Sequence, residues 1–82
     1  MINVAIVEDN VEIREGLAVL INGSVGFHCV ATFANAEDAL LDLFKARPDV
    51  VLMDINLPRM SGIECTRRLK ERQPDVPIMM LT

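Results

Sequence analysis

The apolar positions of the chain change period several times, and each change marks an element. Ile2 to Val7 ("INVAIV") is an apolar run with one polar interruption, the pattern of a buried strand. Glu8-Asp9-Asn10 ends it. From about Val11 to Ile21 the period becomes helical, with Ile13, Leu17, Leu20 and Ile21 on one face. Asn10 is placed to cap that helix, and Gly23 sits just past its end. Phe27 to Phe33 ("FHCVATF") is rich in β-branched and aromatic residues and follows the turn-like "NGSVG", so it reads as a second strand. Asn35 opens a second helix, with Asp38 in a position related to the capping box. Ala36, Ala39, Leu40, Leu43 and Phe44 keep helical spacing until Pro48 stops it. Asp49 to Asp54 ("DVVLMD") is a third strand. A third helix runs from about Gly62 to Arg72, with Ile63, Thr66 and Leu69 on one side, and about Val76 to Leu81 gives a fourth strand.

This alternation of strand and helix predicts an α/β fold, a doubly wound parallel sheet covered by helices. Strands that are apolar throughout predict burial on both faces. The 82 residues suit one small domain or part of a larger one, and no linker or internal repeat divides them. Apolar residues make up 51% but aromatics only 4%, so the core must be aliphatic.

The net charge of −4 argues against this segment gripping nucleic acid, which needs clustered Lys and Arg. Arg67, Arg68, Lys70 and Arg72 do cluster, but on one helix, as a solvated face would. Cys29 and Cys65 lack metal-ligand or CxxC spacing and are expected to be free thiols in a reducing cytoplasm. His28, the only histidine, reads as a strand side chain, and Met79 and Met80 as packing residues. No basic lead follows Met1, and no apolar stretch reaches the roughly 18 residues of a membrane span, so neither secretion nor membrane insertion is expected.

The chemistry gathers where strands end. In an open parallel sheet the carboxyl ends of the strands share one edge, and ligands bind there. The first strand ends in Glu8-Asp9 and the third in Asp54. If the two strands are neighbours, three carboxylates meet. Close carboxylates resist joint ionisation, and a site that keeps them together usually supplies a cation. All-oxygen ligands favour a hard ion such as Mg²⁺, with the main-chain carbonyl of Asn56 placed to add a ligand. One carboxylate can then act as nucleophile toward phosphorus. Thr82, at the end of the fourth strand, would bring a hydroxyl to the same rim. Taken singly, each acid has an ordinary reading as a loop or capping residue, Asp9 at the positive end of the first helix for instance.

The segments "VAIVEDN", "DVVLMDINLPRMSGIE" and "PDVPIMMLT" resemble, in order, the strand signatures of response-regulator receiver domains of two-component signalling. The resemblance implies a flavodoxin-like fold in which Asp54 accepts a phosphoryl group from a sensor histidine kinase. It gives Asp9 and Asp54 to Mg²⁺, with Glu8 assisting indirectly and the Asn56 main-chain carbonyl as a further ligand. It makes Pro58 and Gly62 shapers of the loop, by a fixed φ and then a permissive one, and Thr82 the switch hydroxyl. Ile13-Arg14-Glu15-Gly16-Leu17 and "LPRMSGIE" are similar to regulators with a helix-turn-helix DNA-binding output. The family pattern continues past the fourth strand with a helix, a strand ending in Lys and another helix. Residues 1–82 therefore correspond to the N-terminal part of a receiver domain, and Lys45 and Lys70 fall on predicted helices instead. Mg²⁺ binding is then expected to persist, phosphorylation to be slow, and the fourth strand to be an edge open to self-association or domain exchange.

Two other readings stand beside this one. An aspartyl-phosphate phosphatase would need a second acid two residues after its nucleophile, and position 56 is Asn. A receiver-like interaction module that never takes phosphate would not need Asp9, Asp54 and Thr82.

Overall fold

The computed structural model describes residues 1–81, and Thr82 lies outside the described residues. Strand β1 (Ile2–Val7), helix α1 (Val11–Asn22), β2 (Phe27–Phe33), α2 (Ala36–Asp42), β3 (Val50–Asp54), α3 (Gly62–Arg72) and β4 (Ile78–Leu81) follow in that order. The strands form one sheet in the order β2-β1-β3-β4, with all pairs parallel, as the alternating pattern predicts. Helices lie on both faces, and among the described residues none is long and apolar enough to cross a membrane.

The register divides the side chains between two faces. Ala5, Val7, Val51 and Met53 point to one and are fully buried beneath Ala36, Ala39 and Leu43 of the second helical segment and Cys65 and Leu69 of α3. Each large side chain so enclosed contributes about 1.5–3 kcal/mol. The opposite face carries the row Ile6–Leu52–Met79, set by pairing of β1 with β3 and β3 with β4. Exposure rises along that row, from 0% at Ile6 through half-buried Leu52 to 60% at Met79. Helix α1 packs mainly over β1 and β2. Burial on both faces therefore holds for β1 but not for β4, which has a neighbour on one side among the described residues.

Several elements depart from the sequence-based expectation. On α1, Ile13 and Leu20 are 50% and 68% exposed, so only part of the expected stripe, half-buried Leu17 and Ile21, meets the sheet. On α3 the buried stripe is Gly62, Cys65 and Leu69, while Ile63 faces solvent. Spacings of three and four residues keep 62, 65 and 69 together, and Ile63 sits about a quarter-turn away. The second helix ends as α at Asp42 and tightens into a 3₁₀ turn, Leu43–Ala46. Arg47, in the left-handed region at φ 53°, closes it before Pro48. β4 begins at Ile78 rather than Val76: Pro77 has no N–H to donate, and its carbonyl accepts from Val51 at 3.0 Å.

The helices start at sequence-encoded caps. Asn10, Asn35 and Ser61 each accept a hydrogen bond from the backbone N–H three residues on, at 3.0, 2.8 and 3.2 Å. At α3 this joins Ser61 to Glu64 in the spacing of a capping box. Glu64 also binds Arg67 and Arg68, which hold its carboxyl down at about 2. The glycine at the start of α3 is required for a different reason from the expected permissive φ. A Cβ at Gly62 would lie 1.9 Å from the carbonyl oxygen of Asp54 and 3.1 Å from Cα of Ile55. The positive φ of this loop, 65°, belongs to Arg59, which follows Pro58.

Two outcomes follow. Gly62→Ala forces the first turn of α3 away from β3 and costs at least ~1 kcal/mol, a fall in Tm of roughly 4–8 °C or more by thermal melt. Because the Glu64 carboxyl is lowered in the fold, it adds stability that is complete above about 4.5 and lost as pH falls toward about 2. Glu64→Gln is accordingly less stable than wild type at neutral pH, and acid titrations followed by circular dichroism converge near the lower end of that window.

Candidate functional site

β1 and β3 are hydrogen-bonded neighbours, so residues that follow Val7 and Met53 emerge side by side at the carboxyl edge of the sheet. One carboxylate oxygen from each of Glu8, Asp9 and Asp54 lies within 4.8 Å of the others. Glu8 is buried, at 5% exposure, Asp54 is half-buried and Asp9 is open to solvent. The site thus has a buried base and an accessible rim.

Glu8 is fixed from several directions. Its N–H donates to the Phe33 carbonyl of β2 at 2.9 Å, and its carboxylate accepts from the Asn10 N–H at 3.0 Å. Burial pushes its carboxyl above the usual carboxylate range; the Asn10 N–H opposes this, and Asp9 and Asp54 add to the rise. A group that resists ionisation beside two more acids is relieved by a positive charge. The donor set is all oxygen, which suits a hard divalent ion such as Mg²⁺. The residues present therefore fit the cation implied by their chemistry.

Asp54 stands on a strand end held by its neighbours. The N–H of Ile55 donates to the carbonyl of Leu81 in β4 at 3.4 Å. The carbonyl of Ile55 then accepts from both Leu57, at 3.1 Å, and Gly62, at 2.9 Å. Leu57, 8% exposed, anchors this loop in the core. Asn56 is exposed, and its N–H donates to Oδ1 of Asp54 at 3.3 Å. That contact orients the carboxylate and was not legible from residue type. Arg59 reaches Glu37 of α2 at 3.4 Å, tying the loop's outer corner to the next helix.

Of the residues singled out by sequence, Glu8, Asp9, Asp54 and Asn56 are brought to one place, while Thr82 lies outside the described residues. Lys45 pairs with Asp42 at 2.9 Å and Lys70 donates to the Pro74 carbonyl at 3.3 Å, so both are engaged locally, within four residues of their own positions. Cys65 is a core thiol, pushed up to about 11 chiefly by burial, and is not poised to react. His28 is an exposed side chain of β2. The residue that sequence reasoning missed is Arg14. Its Nη1 donates to the main-chain carbonyls of Glu8, at 2.9 Å, and Asp9, at 3.4 Å. A basic residue one turn inside a helix whose cap follows the acids was the available signal.

Comparison with known proteins agrees with this geometry. The response regulator receiver domain family matches residues 4–82. A protein-glutamate methylesterase/protein-glutamine glutaminase of Syntrophus aciditrophicus is 40% identical over 100% of this chain and 23% of its own length. The transcriptional regulatory protein DegU of Brevibacillus brevis is 38% identical over 99% of this chain and 34% of its own. The chain thus spans about a quarter to a third of these curated relatives. Among solved structures, the CheX-CheY-BeF3-Mg+2 complex from Borrelia burgdorferi superposes with a TM-score of 0.84, at 32% identity over 96% of this chain and 60% of that one. The doubly wound parallel sheet is therefore the flavodoxin-like receiver fold, and the chain belongs to the response regulator receiver domain family.

Proposed function

We propose that this chain is the phosphoacceptor module of a two-component response regulator, with Asp54 as the acceptor. The observation that carries the reading is the meeting of Glu8, Asp9 and Asp54 within 4.8 Å across β1 and β3. Asp9, Asp54 and the Asn56 carbonyl would hold Mg²⁺, with Glu8 acting indirectly from its buried position. When bound, the ion neutralises the carboxylates and the equatorial oxygens of the phosphoryl group.

Half-buried Asp54 is reachable by a donor yet oriented by the Asn56 N–H. A carboxylate oxygen of Asp54 attacks phosphorus in line. The P–N bond of a kinase phosphohistidine breaks, and its electron pair returns to the imidazole. The product is an aspartyl phosphate. Thr82 is proposed as the hydroxyl that senses it. The partner is a sensor histidine kinase, and the setting is cytoplasmic.

The output is proposed to be DNA-binding and transcriptional, as the name of the Brevibacillus relative suggests, carried by sequence other than residues 1–82. The segment has net charge −4 and is proposed to bind neither nucleic acid nor membrane itself. As an isolated polypeptide it is proposed to self-associate or exchange strands through β4, where Met79 is 60% exposed.

With Mg²⁺ and acetyl phosphate, wild type gains the mass of one phosphoryl group and Asp54→Asn gains none. No gain in either protein would favour the phosphate-independent interaction module, and multiple turnover of a generic phosphomonoester would favour a phosphatase. Glu8 supplies a second check. Its carboxyl is raised in the fold, so its ionisation costs stability above its folded pKa and the cost disappears as pH falls. Without metal at neutral pH, Glu8→Gln therefore melts a few degrees higher than wild type, while the further stabilisation by Mg²⁺ shrinks.

A further inference from the structure

We propose that Arg14 is the positioning residue of the acidic site, clamping the main chain that carries Glu8 and Asp9 and acting on cation binding through ligand placement rather than through its charge. This rests on the reading of Glu8, Asp9 and Asp54 as a cation site.

The β1–α1 connection is short, and Glu8 and Asp9 lie within it. On its inner side it is held by the Glu8 N–H to Phe33 and by the Glu8 carboxylate to the Asn10 N–H. Asn10 turns the chain into α1 by accepting from Ile13. The outer side is held by Arg14. Its backbone N–H donates to the Asn10 carbonyl at 2.9 Å, so its side chain leaves α1 one turn in and folds back. Nη1 then sits between the carbonyls of Glu8 and Asp9. Each acid is oriented by its own peptide plane, and the one guanidinium of half-buried Arg14 holds both planes. Outer contacts of this kind set metal affinity although they touch no metal.

Two effects of Arg14 have opposite sign. A guanidinium is permanently charged and repels a divalent ion nearby. A clamp on the ligand-bearing backbone favours that ion. Salt separates them as well, because exposed charge–charge effects fade beyond roughly 10 Å at 0.1 M salt and the clamp does not depend on that range.

The test is Mg²⁺ alone, titrated calorimetrically into the full chain at low and high salt. Arg14→Gln weakens Mg²⁺ binding about tenfold at both salts. Arg14→Lys, which keeps the charge and one donor, recovers part of the loss. Arg67→Gln, which removes a charge from the Glu64–Glu71 network of α3, leaves affinity unchanged. In the metal-free protein the Asn10 amide exchanges faster in Arg14→Gln than in wild type. Equal or tighter binding by Arg14→Gln, a loss that disappears at high salt, or an equal loss in Arg67→Gln would overturn the proposal. If Arg14→Gln does not fold, Arg14→Lys decides: wild-type affinity there overturns it, and weaker binding supports it. Failure of wild type to bind Mg²⁺ removes the reading of the site and this inference together. Binding by wild type that Arg14→Gln leaves intact removes the inference alone.

Discussion

The parallel pairing of β1 with β3 brings like charges together that would otherwise stay apart. At the upper limit of their separation, 4.8 Å, two ionised carboxylates would repel by about 1 kcal/mol in water and about 4 kcal/mol near a protein surface. Against this stand Ile6, Val7, Val51 and Met53, all fully buried where the two strands meet, at about 1.5–3 kcal/mol each. Hydrophobic burial wins, and the acids are carried along by the register. The site is thus a frustrated corner of a well-packed sheet. Its tension is available to whatever charge settles there.

The rest of the molecule is arranged around that corner unequally. One face of the sheet is closed by the second and third helices into a continuous core. The other is roofed by α1 mainly over two of its four strands. Side chains of the same chemical kind, Ile6, Leu52 and Met79, therefore have different exposures because of their column alone. Stability is concentrated on the closed face, and Asp54 leaves β3 where that face meets the loop anchored by Leu57.

Strand positions and types were legible because apolar runs and their period survive in a single sequence. β2 lies where "FHCVATF" predicts it, and β1 where "INVAIV" does. Helix faces were less legible, since the 3.6-residue period says which residues share a side but not what covers it. That is why Leu20 and Ile63 were expected inside and lie outside. Co-location of the acids could be stated only conditionally, because strand order is a tertiary property. The supports of the site were the least legible. The N–H of Asn56 is a main-chain donor that any residue type would supply, and Arg14 left only the faint signal of a basic residue one turn inside α1. Gly62 was identified as important for the wrong physical reason: a glycine required by crowding and one required by φ look alike in sequence.

Gly62 is also a residue whose contribution is empty space. Its hydrogen sits where any side chain would strike the carbonyl of Asp54. A genetic screen for lost function would score it beside Asp54, the proposed acceptor, although it offers nothing to a ligand. Ranking positions by sensitivity to substitution would then mix chemistry with clearance in this loop.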